Sequence, residues 1–409
     1  MDSTPRGNRL HIAIFGRRNA GKSSLINALT NQDIAVVSNV PGTTTDPVYK
    51  AMEILPVGPV VIIDTAGIDD TGDLGELRVQ RSLDVLNKAD MVLLVIDAGA
   101  CITQFEQDIA ERCKEKKLPV VAVLNKIDAL PVTEIQINET KEKLGVEPVA
   151  VSALTGAGIS DLKIAIVKSA PPSWDDQTIV GDLLNPGDVA VLVVPIDLAA
   201  PKGRLILPQV QTIRDILDHD AMAYVVKERE LKECIGTLNK KPKIVITDSQ
   251  AFLKADADTP PDVLLTSFSI LFARYKGDLE SLVAGAKAIE KLKPGDKVLI
   301  AEACTHHRME DDIGTVKIPR WLRQIVGGEL EFHWSSGHRF PTDLSEYKLV
   351  VHCGSCMINR REMLSRIMQV QQAGVPIVNY GVCIAYVQGI LRRALSPFPM
   401  IQEMLDDEE

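Results

Sequence analysis

The chain reads as an α/β protein of three domains: a first parallel sheet flanked by helices, then two smaller parallel-sheet α/β domains. Three observations predict this. The 409 residues exceed what one hydrophobic core usually organises. Short, continuously apolar runs alternate with helix-like segments, the pattern of strands buried on both faces. A glycine-rich phosphate-loop motif stands directly after the first of these runs.

The first domain is read over 1–171, with strands at 11–15, 60–64, 91–96 and 120–124. The stretch Pro-Pro-Ser-Trp-Asp-Asp at 171–176 breaks the alternation and reads as a linker. The second domain, 177–268, has strands at 188–194, 223–226, 243–247 and 263–265, with a helix over 209–217. Roughly 85 residues is small for a four-stranded parallel sheet with open edges. Pairing with a second copy would complete it, so a homodimer through this middle domain is expected; the alternative is an edge covered by other parts of the same chain. The third domain, 269–409, opens with a helix-like stretch at 278–292 and continues with strands at 297–301, 330–333, 349–351 and 376–379. The acidic end, 406–409, reads as a solvated terminus.

Composition narrows the function. A net charge of −10 disfavours sequence-independent binding to nucleic acid or anionic membranes, so neither is expected as a partner. No apolar run reaches the roughly 18 residues of a membrane span, and no apolar stretch follows the N-terminus, so a cytoplasmic address is expected. The seven cysteines do not form a disulfide-like framework.

The motif G-R-R-N-A-G-K-S at 16–23 sits between a strand and a helix, where glycines let backbone N–H groups wrap phosphates and the helix N-terminus favours negative charge. Gly16, Asn19, Ala20, Gly21, Lys22, Ser23 and Ser24 are the expected phosphate-side residues. Lys22 should reach the β- and γ-phosphates, and the Ser23 hydroxyl should ligate Mg²⁺. Thr44, in a Pro-Gly-Thr-Thr segment at 41–44, is placed to be the switch threonine on Mg²⁺. Asp64-Thr-Ala-Gly67 ends a strand, so Asp64 can hold Mg²⁺ through water and Gly67 can sense the γ-phosphate. Asn125-Lys126-Ile-Asp128 ends another; the Asp128 carboxylate would accept both guanine N1 and N2 hydrogens, which adenine does not offer. Ser152 and Ala153 supply the backbone contact to guanine O6. Lys22, Thr44 and Gly67 are the expected catalytic residues. Five signals in the correct order describe a GTP-binding domain of P-loop type, hence a GTPase using GTP and Mg²⁺.

This domain resembles the TrmE/Era/EngA-like branch of translation-factor-type GTPases. Asn19 matches the asparagine that in several of those proteins helps ligate K⁺ beside the phosphates, where K⁺ stands in for an arginine finger. Ile68 follows Gly67 where many signalling GTPases carry a water-orienting glutamine, so unassisted hydrolysis should be slow. Thr45 departs from the arginine usual in these relatives.

A second constellation lies near the C-terminus. Cys304-Thr-His306 is followed, after a gap of 45 residues, by His352-Cys353-Gly-Ser-Cys356. Both pieces follow expected strands, so a parallel sheet would bring them to one carboxyl edge. Three thiolates and a histidine suit a closed zinc site or three irons of a 4Fe–4S cluster, and spacing alone leaves both open. The pairing of the two motif sets along the whole chain resembles the FeFe-hydrogenase maturation GTPase family, HydF. That resemblance implies a 4Fe–4S cluster on Cys304, Cys353 and Cys356 with one open or exchangeable position. It implies a scaffold and carrier for a transient diiron precursor, supplied by radical-SAM maturases and passed to apo FeFe-hydrogenase, and a homodimer through the middle domain. The competing reading is a GTPase with a structural zinc site regulating RNA or ribosome assembly; a third is a dithiol redox enzyme.

His352 and His306 are candidates for a fourth ligand or for hydrogen bonding to a sulfur, and His307 for a surface or packing residue. Cys383 should arrive at the same sheet edge, as part of the site or as an ordinary buried thiol. Cys101, Cys113 and Cys234 read as structural. Arg308, Arg320, Arg323, Arg339, Arg360 and Arg361 flank the ligand motifs, either as a field for an anionic precursor or as solvated helix faces.

Overall fold

The computed structural model describes residues 6–30, 48–54, 58–65, 84–171, 178–195, 205–303, 312–337 and 340–405. The chain divides into two compact units, 1–176 and 177–409. In the first, the described strands are β1 (Leu10–Phe15), β2 (Val48–Ile54), β3 (Gly58–Asp64), β4 (Met91–Asp97), β5 (Val120–Asn125) and β6 (Val149–Ala150), in the order β2-β3-β1-β4-β5-β6. Neighbours run parallel except β2, which is antiparallel to β3 with Val48 opposite Asp64. Sequence reading missed β2 because Lys50 and Glu53 interrupt its apolar run; Met52 and Ile54 are its core residues.

The other strands are apolar throughout because both faces of the sheet are covered. Leu10, Ile12 and Ile14 join Ile62, Leu93 and Val95 in one core, while Ala13 and Phe15 join Ile63, Leu94 and Ile96 in the other. Successive side chains point to opposite faces, so two buried faces leave no polar alternation.

The second unit carries two four-stranded sheets. β7 (Val189–Val193), β8 (Met222–Val226), β9 (Ile244–Thr247) and β10 (Leu264–Ser267) run in the order β10-β9-β7-β8. β11 (Lys297–Glu302), β12 (Glu331–Ser336), β13 (Leu349–His352) and β14 (Ile377–Asn379) run in the order β12-β11-β13-β14. Every pairing in both is parallel. One core joins Ala190, Leu192, Ile244 and Ile246 of the middle sheet to Val298, Ile300, Val350 and Val351 of the last. The helix Phe268–Lys276 contributes Phe268, Ile270, Leu271 and Phe272 to that same core. The expected boundary at 268/269 therefore separates two sheets that share a core.

The two edges of the middle sheet differ. Along β10 the Ser396 hydroxyl accepts from Leu265 N at 2.9 Å and donates to Leu265 O at 3.2 Å, so the chain covers that edge itself. Along β8, Met222, Tyr224 and Val225 are each more than 40% exposed. The stretch read as one helix at 278–292 is an α-helix, Leu279–Ala284, followed by a tighter 3₁₀ segment, Gly285–Lys291. A Cβ on Gly285 would lie 1.9 Å from the Ile377 carbonyl oxygen, so only glycine admits the backbone so close to β14. No helix among the described residues is long and apolar enough to cross a membrane.

In the last sheet the chain leaves β11 toward β12 on one side and returns to β13 on the other. The carboxyl ends of β11 and β13 thus flank a topological switch point, where open α/β sheets leave a crevice. Cys353 directly follows β13, and Cys304 follows β11 in sequence.

Candidate functional site

The loop 16–21 leads from β1 into the helix Lys22–Thr30. Both of its end glycines are required by close approach. A Cβ on Gly16 would lie 2.3 Å from the Val95 carbonyl oxygen, and one on Gly21 (φ 89°) would lie 2.3 Å from Asn125 Nδ2. Asn19 adopts φ 60°, a conformation asparagine tolerates better than most residues, and is exposed. Lys22 Nζ donates to the carbonyls of Gly16 (2.6 Å) and Arg17 (3.0 Å), closing over the loop. Arg17 Nε donates to Glu106 Oε1 at 2.8 Å, which braces the loop on a fully buried carboxylate. Ser23 lies half-buried in the first helical turn and Ser24 is exposed.

Asp64 closes β3. Burial pushes its carboxyl up, against the opposing pull of Lys22 and Lys50. A carboxylate that pays for desolvation is suited to a divalent cation, which would restore the charged form. Its neighbour Thr65 is buried and donates to Ile14 O at 2.6 Å, tying β3 to β1 where the phosphates belong.

The base side is held by a cross-brace. Buried Asn125 donates from Nδ2 to Ala20 O (3.0 Å) and accepts at Oδ1 from Ala153 N (3.1 Å), linking the phosphate loop to the 152–153 loop. Lys126 (φ 69°) pairs with Asp97 Oδ2 at 2.7 Å. Burial alone would raise the Asp97 carboxyl, but Lys126 and the Gly99 amide hold it below the usual carboxylate range. Ser152 Oγ donates to Asp128 Oδ1 and accepts from Thr155 N, which orients the exposed Asp128 carboxylate. Thr44, Thr45, Gly67 and Ile68 lie outside the described residues.

In the second unit, Cys353 N donates to Ala301 O (2.9 Å), continuing the β13–β11 pairing one residue past β13. Ala303 N in turn donates to Cys353 Sγ at 3.1 Å. Burial pushes the Cys353 thiol up, against the opposing pull of this N–H to sulfur bond. Ser355 adopts φ 57° and is buried, which turns the loop so that Cys356 follows on the same short segment. Gly354 packs beside Ser269 at the start of the helix Phe268–Lys276. Two cysteine sulfurs on a tight loop, with a backbone donor already on one of them, are a donor set that fits soft metals, iron–sulfur clusters included, once deprotonated on binding. Cys304, His306, His307, Arg308 and Arg339 lie outside the described residues, and among the described residues no three His, Cys, Asp or Glu side chains converge on a metal position.

His352 is fully buried behind this loop. Its Nδ1 lies 3.0 Å from Cys353 O and 3.2 Å from Ser355 Oγ, and its Nε2 lies 3.1 Å from Arg366 Nη1. Burial, with Arg366 next in weight, drops its pKa to about 3, so the ring is neutral. Cys383 lies in the shared core on the helix Tyr380–Val387, and burial pushes its thiol up to about 12. Cys113 is buried, Cys234 half-buried and Cys101 exposed.

Of the flanking arginines, Arg360 donates to the carbonyls of Arg274, Tyr275 and Gly277, capping a helix end. Arg323 stacks on Phe332 and pairs with Glu329. Arg366, which sequence reading passed over, is the buried cation beside the thiol loop. The available signal was a charged residue at helical spacing from Met363, Ile367 and Val370, all on the buried face of the helix Arg360–Gln372.

Comparison with known proteins matches three segments. Residues 11–126 match the 50S ribosome-binding GTPase family, 179–277 the hydrogen maturase F dimerization domain, and 280–397 the hydrogen maturase F tetramerization domain. The tRNA modification GTPase MnmE of Aquifex aeolicus is 44% identical over 167 residues, 41% of this chain and 36% of that protein. Its counterpart from Thermotoga maritima is 41% identical over 164 residues, 39% and 35% of the respective chains. The chain thus spans 36% and 35% of the length of these curated relatives. Among solved structures, an Aquifex aeolicus Era variant bound to GDP and AlF₄⁻ is similar at 23% identity and TM-score 0.36, over 61% of this chain and 99% of that one.

Proposed function

From a chain that joins a TrmE/Era-like GTPase domain to hydrogen maturase F dimerization and tetramerization domains, an organisation consistent with the HydF family, we propose a GTP-hydrolysing scaffold. In this reading the protein holds a 4Fe–4S cluster, carries a diiron precursor as cargo and delivers it to apo FeFe-hydrogenase, with radical-SAM maturases as suppliers. The observation that carries the proposal is the Cys353–Cys356 loop at the carboxyl edge of β13, with the Ala303 amide on the Cys353 sulfur, in a chain that also holds a GTPase domain.

Lys22 would exchange its loop carbonyls for phosphate oxygens, and Ser23, Asp64 and Thr44 would hold Mg²⁺. Asn19 would share K⁺ with the phosphates, and Gly67 would report the γ-phosphate. Asp128, held by Ser152, would read guanine through its paired donors, and the Ala153 amide would exchange Asn125 Oδ1 for guanine O6. Cys304, Cys353 and Cys356 would hold the cluster, whose chemistry is to offer an iron with an exchangeable position to incoming cargo. His306 remains a proposed partner for that position. The open β8 edge, with Val210 and Leu217 exposed on the helix Leu207–Asp218, would pair with a second copy.

Anaerobic reconstitution with iron and sulfide, followed by EPR of the reduced protein, tests the reading. The expected result is a 4Fe–4S signal lost on Cys353→Ala or Cys356→Ala. A colourless, EPR-silent protein that retains one tight zinc would overturn it in favour of a structural zinc site.

A further inference from the structure

His352 is adjacent to a proposed cluster ligand, yet both of its ring nitrogens are already engaged. A guanidinium has no acceptor. The contact between Arg366 Nη1 and His352 Nε2, 3.1 Å, therefore requires Nε2 to be the unprotonated acceptor. The ring proton then sits on Nδ1, facing the Cys353 carbonyl at 3.0 Å. One imidazole thus bridges the backbone of the thiol loop to the helix Arg360–Gln372.

Arg366 is itself fixed. Its Nη2 donates to Glu362 Oε1 and to Gly337 O, each at 2.8 Å, and its Cζ lies 5.3 Å from the centre of the Phe340 ring. The ion pair is buried, its side chains 3% and 7% exposed. Phe340 also lies beside the His352 ring, with centroids 6.4 Å apart. Swinging His352 onto a metal would strand a buried guanidinium face and the Cys353 carbonyl together, which buried polar groups resist.

We infer that Arg366 is a positioning residue that occupies the metal-binding lone pair of His352, so that His352 anchors the Cys353 loop from behind and does not complete the cluster. The inference rests on the cluster reading above. It assigns the position left by three cysteines to something other than His352, and it makes the Glu362–Arg366 pair the lock that keeps it so.

The test uses full-length protein grown with ¹⁵N-histidine, reconstituted and reduced, and examined by pulsed EPR for nitrogen coupled to the cluster. Wild type should show no coupling that depends on His352, as judged against His352→Ala. The double variant Arg366→Met with Glu362→Gln removes both buried charges together and frees Nε2. It should gain a histidine coupling that His352→Ala abolishes. Loss of the same coupling from wild type on His352→Ala would overturn the inference, as would a double variant that loads its cluster and stays identical to wild type.

Should the double variant fail to fold, long-range ¹H–¹⁵N NMR of wild type decides the matter. The expected pattern is a His352 ring protonated on Nδ1 in the cluster-free protein. Protonation on Nε2 overturns the lock. A wild-type protein that takes up no cluster sinks the cluster reading instead, while leaving the NMR tautomer to report separately on Arg366.

Discussion

Asn125→Ala should destabilise the GTPase unit even with no nucleotide bound. Its side chain is 1% exposed, donates to Ala20 O at 3.0 Å and accepts from Ala153 N at 3.1 Å. Alanine leaves both backbone groups without that partner. An orphaned buried polar group costs about 1–3 kcal/mol. Ala20 is 3% exposed, which places its carbonyl toward the upper end, whereas Ala153 is half-buried and water can relieve its amide. The sum is about 2–4 kcal/mol, or a transition lowered on the order of 10 °C for a unit of this size. Differential scanning calorimetry of the nucleotide-free, full-length protein measures it. The GTPase transition is identified as the one that GDP raises in wild type, because a ligand stabilises the unit it binds. If nucleotide binding is lost while the nucleotide-free transition stays within about 0.5 kcal/mol of wild type, the residue serves only the base and the brace argument is wrong.

Asp128→Asn should shift preference from guanine toward xanthine nucleotides, since the amide offers a donor where guanine needs an acceptor; unchanged competition between GTP and XTP would remove Asp128 from base reading. GTP hydrolysis should be faster in K⁺ than in Na⁺, and equal rates in the two salts would take Asn19 off the list of ion ligands. Like charges placed on the open edge, Val225→Lys with Tyr224→Lys, should reduce the mass seen by light scattering to that of a smaller species. An unchanged mass would mean that copies associate elsewhere. In native protein at pH 8, iodoacetamide should modify exposed Cys101 well before Cys383, whose thiol burial pushes up to about 12. Rapid labelling of Cys383 would show that its helix opens freely.

Much of the fold was legible because its strands are buried on both faces. Continuous apolar runs such as Val189–Val193 and Leu349–His352 appear in the structure within a residue or two of where composition placed them. What escaped was the element without that signature: β2, where Lys50 and Glu53 break the run. The helix read at 278–292 tightened after Ala284 because Gly285 packs against β14, a contact nearly a hundred positions away that no local pattern announces. The edge question was settled on one side only: Ser396 covers β10, while β8 stays exposed.

The nucleotide motifs are local, each a few residues at a strand end, so their identity and order were readable from the chain alone. The spacing of Cys353 and Cys356 was readable for the same reason. What the tertiary structure decided is the company those residues keep. Asn125 is a brace because β5 brings it against the phosphate loop, from a point 105 residues away in sequence. His352 faces Arg366, not the front of its own loop, because a helix beginning after Asn359 folds back across β13. A one-dimensional pattern names donors and acceptors; which lone pair remains to bind a metal depends on who else has claimed it, and burial makes that claim hard to break.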